Sequence, residues 1–155
     1  MTRPRHWLAV ALASGGGVGF SPRAPGTAGS ALALLLGWPL LTGPAWLPPA
    51  ACLAAALGGI WATARSGATG DPGWVVIDEV AGQWIALLGL SHVGWPGFVA
   101  AFALFRLFDI TKPGPIGWAD RHAGAAWVMA DDLLAGAAAA LLLLTARALW
   151  PGLEI

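Results

Sequence analysis

No charged residue interrupts the chain between Arg23 and Arg65. A gap of that length holds two membrane-spanning helices of about 20 residues each. Thr42-Gly43-Pro44 divides it with a turn signal. The gap therefore reads as a hairpin, with residues 28–41 going out and 46–64 coming back. A second apolar run, 133–150, is broken only by Arg147 near its end. At about 1.5 Å per residue it is long enough to span, with Arg147 snorkelling to the far interface. Arg3, Arg5, Arg23, Arg65, Arg106, Lys112 and Arg121 then share one face, which the positive-inside rule makes cytoplasmic.

Composition agrees with a lipid environment. Of 155 residues, 57% are hydrophobic and 10% charged, against about a quarter charged in ordinary soluble domains. The length fits one domain covering 1–155. A net charge of zero gives no reason to expect a nucleic-acid partner. The single cysteine, Cys52, excludes an internal disulfide and a thiolate metal cluster. Ten tryptophans without a tyrosine suit membrane interfaces, where the ring is apolar and the N–H finds a partner. The basic and apolar N-terminus faintly resembles a signal peptide, but the arginines after it continue a coherent topology.

The uncharged run 80–105 poses a parity problem. As one span it would put Asp78 and Asp109 on opposite sides of the membrane; for two full spans it is too short. Ser91-His92-Val93-Gly94-Trp95-Pro96 reads as a break, with Pro96 suited to the first turn of a new helix. Two short helices are expected, 80–90 and 97–108, re-entrant or packed within the bundle. The expected fold is all-α: a multi-pass membrane helical bundle with short broken or re-entrant helices.

The acidic residues are Asp71, Asp78, Glu79, Asp109, Asp120, Asp131, Asp132 and Glu154. Asp78-Glu79 is expected to open one helix, Asp109 to close the return helix, and Asp131-Asp132 to open the last. If these helix ends meet, five carboxylates converge, and they repel unless a cation or protons neutralise them. Oxygen-only ligands suit Mg²⁺, Mn²⁺ or Ca²⁺. The bland alternative is that acids at helix starts merely complement the helix dipole. Neighbours on a helix point roughly 100° apart, so one member of each acidic pair should face the ion more directly than the other.

Arg106 lies three residues before Asp109 on one helix face, Lys112 follows, and Arg121 adjoins Asp120. Arginine and lysine suit phosphate recognition; positive-inside topology alone would need only their charge. The glycine-rich stretch 15–29 carries Ser21, Arg23 and Thr27 ahead of an apolar helix, a place where backbone N–H groups can meet an anion. Its spacing fits neither nucleotide-binding loop. His92 reads as a turn residue, and His122, beside Asp120-Arg121, as a candidate general acid or base.

Together SPRAPGTAG (21–29), VVIDEVAGQWIAL (75–87), FRLFDITKPGPI (105–116), Asp120-Arg121 and MADDLLAG (129–136) resemble the phosphatidylglycerophosphatase A family. Ala125-Ala126-Trp127 departs from the smaller, glycine-rich residues expected there. The resemblance implies a Mg²⁺-dependent phosphomonoesterase acting on phosphatidylglycerophosphate, in the bacterial inner membrane, with its active site facing the cytoplasm. It implies metal or catalytic roles for Asp78, Glu79, Asp109, Asp131 and Asp132. It implies phosphate binding by Arg23, Thr27, Arg106, Lys112 and Arg121. The nucleophile is a metal-activated water or one of the aspartates.

Other phosphatase chemistries find no support: the position six after Cys52 is Gly58 rather than arginine, and no Asp-x-Asp-x-Thr or Pro-Ser-Gly-His segment occurs. A small ion or solute carrier with an acidic cation site is the rival from another class; it should carry acids near the bilayer midplane and pseudo-symmetric halves. A non-catalytic assembly factor would need no converging acids.

Overall fold

The computed structural model describes residues 6–153 and 155, so Arg3, Arg5 and Glu154 lie outside the described residues. Among the described residues the chain forms α1 (Trp7–Ala13), a 3-10 turn (Val18–Phe20), α2 (Pro25–Leu41), α3 (Leu47–Arg65), α4 (Ile77–Leu87), α5 (Trp95–Thr111), α6 (Pro115–Asp120) and α7 (Ala125–Leu149), with no strand. The all-α expectation therefore holds. α3 and α7 are long and apolar enough to cross a membrane, and α2 is a shorter apolar helix.

Helix boundaries follow local backbone chemistry. α2 begins at residue 25 rather than 28 because Pro25 occupies the first helical turn, where its missing N–H costs nothing. α7 begins at Ala125, which corrects the expectation that Asp131-Asp132 opens the last helix. Gly124, at φ +117, sets that start, and residues 125–130 contain no breaker. Both acids therefore sit in the second turn, beyond the reach of a first-turn dipole effect. The Pro113-Gly114-Pro115 turn leads into the short α6, which was not anticipated; Gly114 takes φ +53 and Pro115 enters the first turn.

The parity problem resolves as a helical hairpin. α4 and α5 are antiparallel: Glu79 lies beside Arg106 at one end, and Leu90 beside Gly97 at the other. Asp78 and Asp109 consequently face the same end of the bundle. The starts of α2, α4 and α7 and the ends of α3 and α5 share that end. Glycines set the helix spacing. A Cβ on Gly136 would collide with the Gly82 carbonyl, and one on Gly82 would lie 2.5 Å from the Asp132 carbonyl oxygen. Small residues at such crossings let helix backbones touch. Farther from the site end, Leu87, Phe98, Phe105, Ala135, Ala139 and Leu143 form the apolar core.

The outer surface is apolar. Leu53 and Leu57 on α3, Leu35 on α2 and Leu141 on α7 are each at least 60% exposed, a pattern that needs a covering medium. Tryptophans collect at both ends: Trp46, Trp95 and Trp150 are exposed at the far end, and Trp7 and Trp118 at the site end. Arg147 does more than reach for the interface. It donates to the Gly89 carbonyl at 3.0 Å, satisfying a group just past the end of α4.

Candidate active site

α4 and α7 meet where their glycines permit contact, and this brings acids together from positions far apart in sequence. One carboxylate oxygen each from Asp78, Glu79 and Asp132 lies within 4.8 Å of the others. Asp78 and Asp132 are buried, at 5% and 4% exposure. Both members of the Asp78-Glu79 pair reach this cluster, although helix geometry favoured one; the longer glutamate chain makes up the angular difference. The Glu79 Oε2 atom is buried without a hydrogen-bond partner. Three carboxylates, two buried and the third half-buried with one orphaned oxygen, form a donor set that fits a hard divalent cation such as Mg²⁺, which takes a few carboxylates and keeps waters or phosphate oxygens for its other positions.

The remaining two acids of the expected five are engaged differently. Asp109 accepts from Arg106 Nη1 at 2.5 Å, and the same nitrogen lies 4.0 Å from Glu79. Asp131 accepts from Lys112 Nζ at 2.6 Å, and Lys112 also pairs with Asp120. Each basic side chain thus bridges two carboxylates, Arg106 at the margin of the three-acid cluster and Lys112 between α6 and α7. Lys112 occupies the left-handed region at φ +45, which costs a non-glycine residue about 1–2 kcal/mol. Its carbonyl packs directly on Gly117, where a Cβ would not fit. Burial lowers the ammonium's affinity for its proton, but the hydrogen bonds to Asp120 and Asp131 outweigh it and raise the pKa above the ordinary lysine range.

The start of α2 closes the site from above. A Cβ on Gly26 would collide with Glu79 Oε1 and lie 3.3 Å from Arg106 Nη1. Ser30, one turn on and fully buried, donates to the Gly26 carbonyl at 2.9 Å and accepts from Arg106 at 3.5 Å.

Three of the expected phosphate-binding residues lie outside this core. Arg23 and Thr27 are exposed at the start of α2, and among the described residues Arg23 makes no ion pair. Arg121 is exposed on the wall of a neighbouring cavity of about 230 Å³ that Asp131 also lines. His122 lies on the same wall, hydrogen-bonded to the Trp118 carbonyl at 2.8 Å and stacked on Trp127. His92 sits in the exposed far-end turn against Ser91. Sequence reasoning passed over Ser30 and Gln83, and it named Asp120 without giving it a role. Gln83 is fully buried with neither amide atom partnered. A polar residue inside the uncharged run 80–105, one turn from Glu79, was the available signal for it.

An all-α bundle with an apolar exterior, two helices long and apolar enough to cross a membrane and an acidic cluster able to hold a metal ion defines a helical protein with a candidate cation site. A family model for phosphatidylglycerophosphatase A matches residues 11–147. The chain is 39% identical over 158 aligned positions to phosphatidylglycerophosphatase A of Escherichia coli K12, covering 97% of this chain and 88% of that protein. It is 37% identical over 140 positions to the Haemophilus influenzae protein of the same name, covering 87% and 83%. It is 41% identical over 157 positions to a Bacteroides thetaiotaomicron protein given the provisional name phosphatidylinositol-3-phosphatase, covering 95% and 98%. No solved structure matches the chain. The chain belongs to the phosphatidylglycerophosphatase A family of lipid phosphatases.

Proposed function

We propose that this chain hydrolyses the terminal phosphate of phosphatidylglycerophosphate to phosphatidylglycerol and inorganic phosphate, using Mg²⁺ held by Asp78, Glu79 and Asp132. The observation that carries this is the gathering of those three carboxylates within 4.8 Å, with Arg106 beside Glu79 and Lys112 paired to the neighbouring Asp131. Bound Mg²⁺ supplies charge neutralisation at the phosphoryl oxygens and the leaving alkoxide.

The chain's own residues do the rest. Arg106, oriented by Asp109 and Ser30, offers N–H groups to the phosphate, and Lys112 adds a positive charge on the other flank. Arg23, Thr27 and Arg121 meet the phosphate nearer the surface. A water, or one of the aspartates, forms a new bond to phosphorus while the bond to the glycerol oxygen breaks; an aspartyl phosphate formed this way is then cleaved by water to release inorganic phosphate. The glycerol oxygen leaves with the electron pair and takes up a proton. Asp131 accepts from Lys112 and holds that charge in position.

Lipid immersion explains the apolar exterior and the tryptophans at both ends. The chain is read as a multi-pass protein of the bacterial inner membrane. Arg65, Arg106, Lys112 and Arg121 mark the site end as cytoplasmic, with Arg147 opposite. The acyl chains stay in the bilayer while the phosphate reaches the site at its edge.

The test is phosphate release from phosphatidylglycerophosphate in liposomes by the purified protein. Release that stops in EDTA, returns with Mg²⁺ and is lost in Asp78→Asn at normal membrane insertion supports the assignment. A protein that releases no phosphate but moves cations across the liposome membrane is the carrier instead. Phosphatidylinositol 3-phosphate is the second candidate substrate, suggested by the name of the Bacteroides relative; the same assay with that lipid ranks the two.

A further inference from the structure

Gln83 carries the chain's one side-chain amide, since the sequence holds no other glutamine and no asparagine. It is fully buried, and neither Nε2 nor Oε1 has a hydrogen-bond partner. Leaving a buried amide unpaired is costly, so its presence in the middle of α4 calls for an explanation. The reaction proposed above gives it no part.

Its place on α4 brings it to the acids. Glu79 lies four residues earlier, on the same helix face. Helix side chains lean toward the N-terminus, so Gln83 covers the turn that carries Glu79. Its neighbours in sequence fix the direction further. Gly82 backs onto α7 and onto Phe105 of α5, while Trp84 donates to the Ala33 carbonyl of α2 at 2.9 Å. Gln83, between them on the helix surface, therefore faces the seam where α2 and α5 meet α4. Arg106 enters the same seam from α5, with Nη1 4.0 Å from Glu79 Oε1 and 3.5 Å from the Ser30 hydroxyl of α2.

Two more buried side-chain atoms at this seam lack partners, Glu79 Oε2 and Arg106 Nε. The first is an acceptor and the second an N–H donor. A primary amide is the complement of that pair, because its NH₂ donates and its carbonyl accepts. One orientation of the amide serves both atoms, and the reversed orientation serves neither. The other buried unpartnered side-chain atoms among the described residues, Thr63 Oγ1 and Asp131 Oδ1, belong to α3 and α7.

We infer that Gln83 is a positioning residue for the cation site, in which Nε2 donates to Glu79 Oε2 and Oε1 accepts from Arg106 Nε once a cation is bound. The terminal torsion of glutamine is broad, so the amide can turn to close both bonds. A carboxylate oxygen has two lone pairs. Glu79 Oε2 can thus take the amide proton and still meet a cation shared with Asp78 and Asp132. Carboxylates that hold metal ions are commonly fixed by such hydrogen bonds from behind. Arg106 keeps its terminal N–H groups for Asp109, Ser30 and the phosphate. This rests on the cation-site reading above and adds the group that ties the carboxylate at the ion to the guanidinium at the phosphate.

The lack of any other side-chain amide supplies the probe. In ¹⁵N-labelled wild type in detergent micelles, one side-chain NH₂ pair is expected by nuclear magnetic resonance, assigned by its absence from Gln83→Met. Adding Mg²⁺ should move one of the two protons downfield and slow its exchange with water. Gln83→Met keeps the length of the side chain and removes both amide atoms, so its Tm in EDTA should equal or exceed that of wild type. Its Mn²⁺ dissociation constant, read by electron paramagnetic resonance, should rise about ten-fold or more, with kcat/KM for phosphatidylglycerophosphate falling in step. A stable variant with wild-type Mn²⁺ affinity overturns the inference and leaves the cation site standing. If the variant is less stable in EDTA or does not fold, the wild-type amide pair decides, and a pair that Mg²⁺ leaves unmoved overturns the inference. Absence of saturable Mn²⁺ binding by wild type overturns both this inference and the cation-site reading.

Discussion

Replacing Asp132 by asparagine should separate stability from function in a direction opposite to most buried-site substitutions. Asp132 faces Asp78 and Glu79 with carboxylate oxygens within 4.8 Å. At an effective dielectric constant of about 20, each fully ionised pair at that separation repels by at least about 3.5 kcal/mol. Two fully ionised pairs amount to about 7 kcal/mol or more, most of which a shared proton relieves in the metal-free protein. A net gain of about 1–2 kcal/mol for metal-free Asp132→Asn is expected, or roughly 2–8 °C in Tm for a chain of this size. Cation binding moves the other way. Loss of an outer-shell partner alone typically costs about 10–100-fold in metal affinity, so losing a direct carboxylate should cost at least about 100-fold. Thermal unfolding in detergent, with EDTA and then with excess Mg²⁺, reads both effects. Wild type should gain about 2.7 kcal/mol when Mg²⁺ reaches 100 times its dissociation constant, and the variant should gain little. Equal stabilisation of both proteins by Mg²⁺, or a less stable variant in EDTA, refutes the reasoning.

Gly82→Ala should abolish most activity and lower Tm, because its Cβ would lie 2.5 Å from the Asp132 carbonyl oxygen and force α4 from α7; phosphate release and thermal unfolding check it. Arg106→Lys should lower kcat/KM by about 10–100-fold, since an ammonium cannot serve Asp109, Ser30 and a phosphate as a planar guanidinium does. The Lys112 pKa is raised, so its charge-dependent stabilisation is full below the unfolded lysine value and is lost only as pH rises through the folded one. The pH–rate profile should therefore show no lysine titration between about pH 6 and 9, and Lys112→Met should lower activity across that whole window without shifting its shape.

The charge-free gap, the break near Pro96 and the positions of the acids were legible in the sequence because each follows from local cost. An apolar run must be covered, a proline suits the first turn of a helix, and a carboxylate rarely occurs in such a chain without a purpose. The α4–α5 hairpin could be argued from length alone. The start of α7 could not, since the charged pair Asp131-Asp132 separates the apolar residues 125–130 from the run 133–150, and Gly124 gives only a backbone signal. Which acids share a place was also hidden. Asp132 joins Asp78 and Glu79 while Asp131 turns to Lys112, and that choice depends on the rotation of α7 against α4 fixed by the Gly82–Gly136 contact. The cavity beside Asp71 draws on a loop, α6 and α7 at once, and no single segment announces it.

Mn²⁺ is a paramagnetic stand-in for Mg²⁺, so titrating it into the purified, EDTA-stripped protein and following free Mn²⁺ by electron paramagnetic resonance counts the cations held by the three-acid cluster. Saturable binding that Mg²⁺ displaces, and that is lost in each of Asp78→Asn, Glu79→Gln and Asp132→Asn, is what a shared cation pocket requires. Binding of equal strength in wild type and all three variants would mean that the ion resides elsewhere and that these carboxylates do not act together.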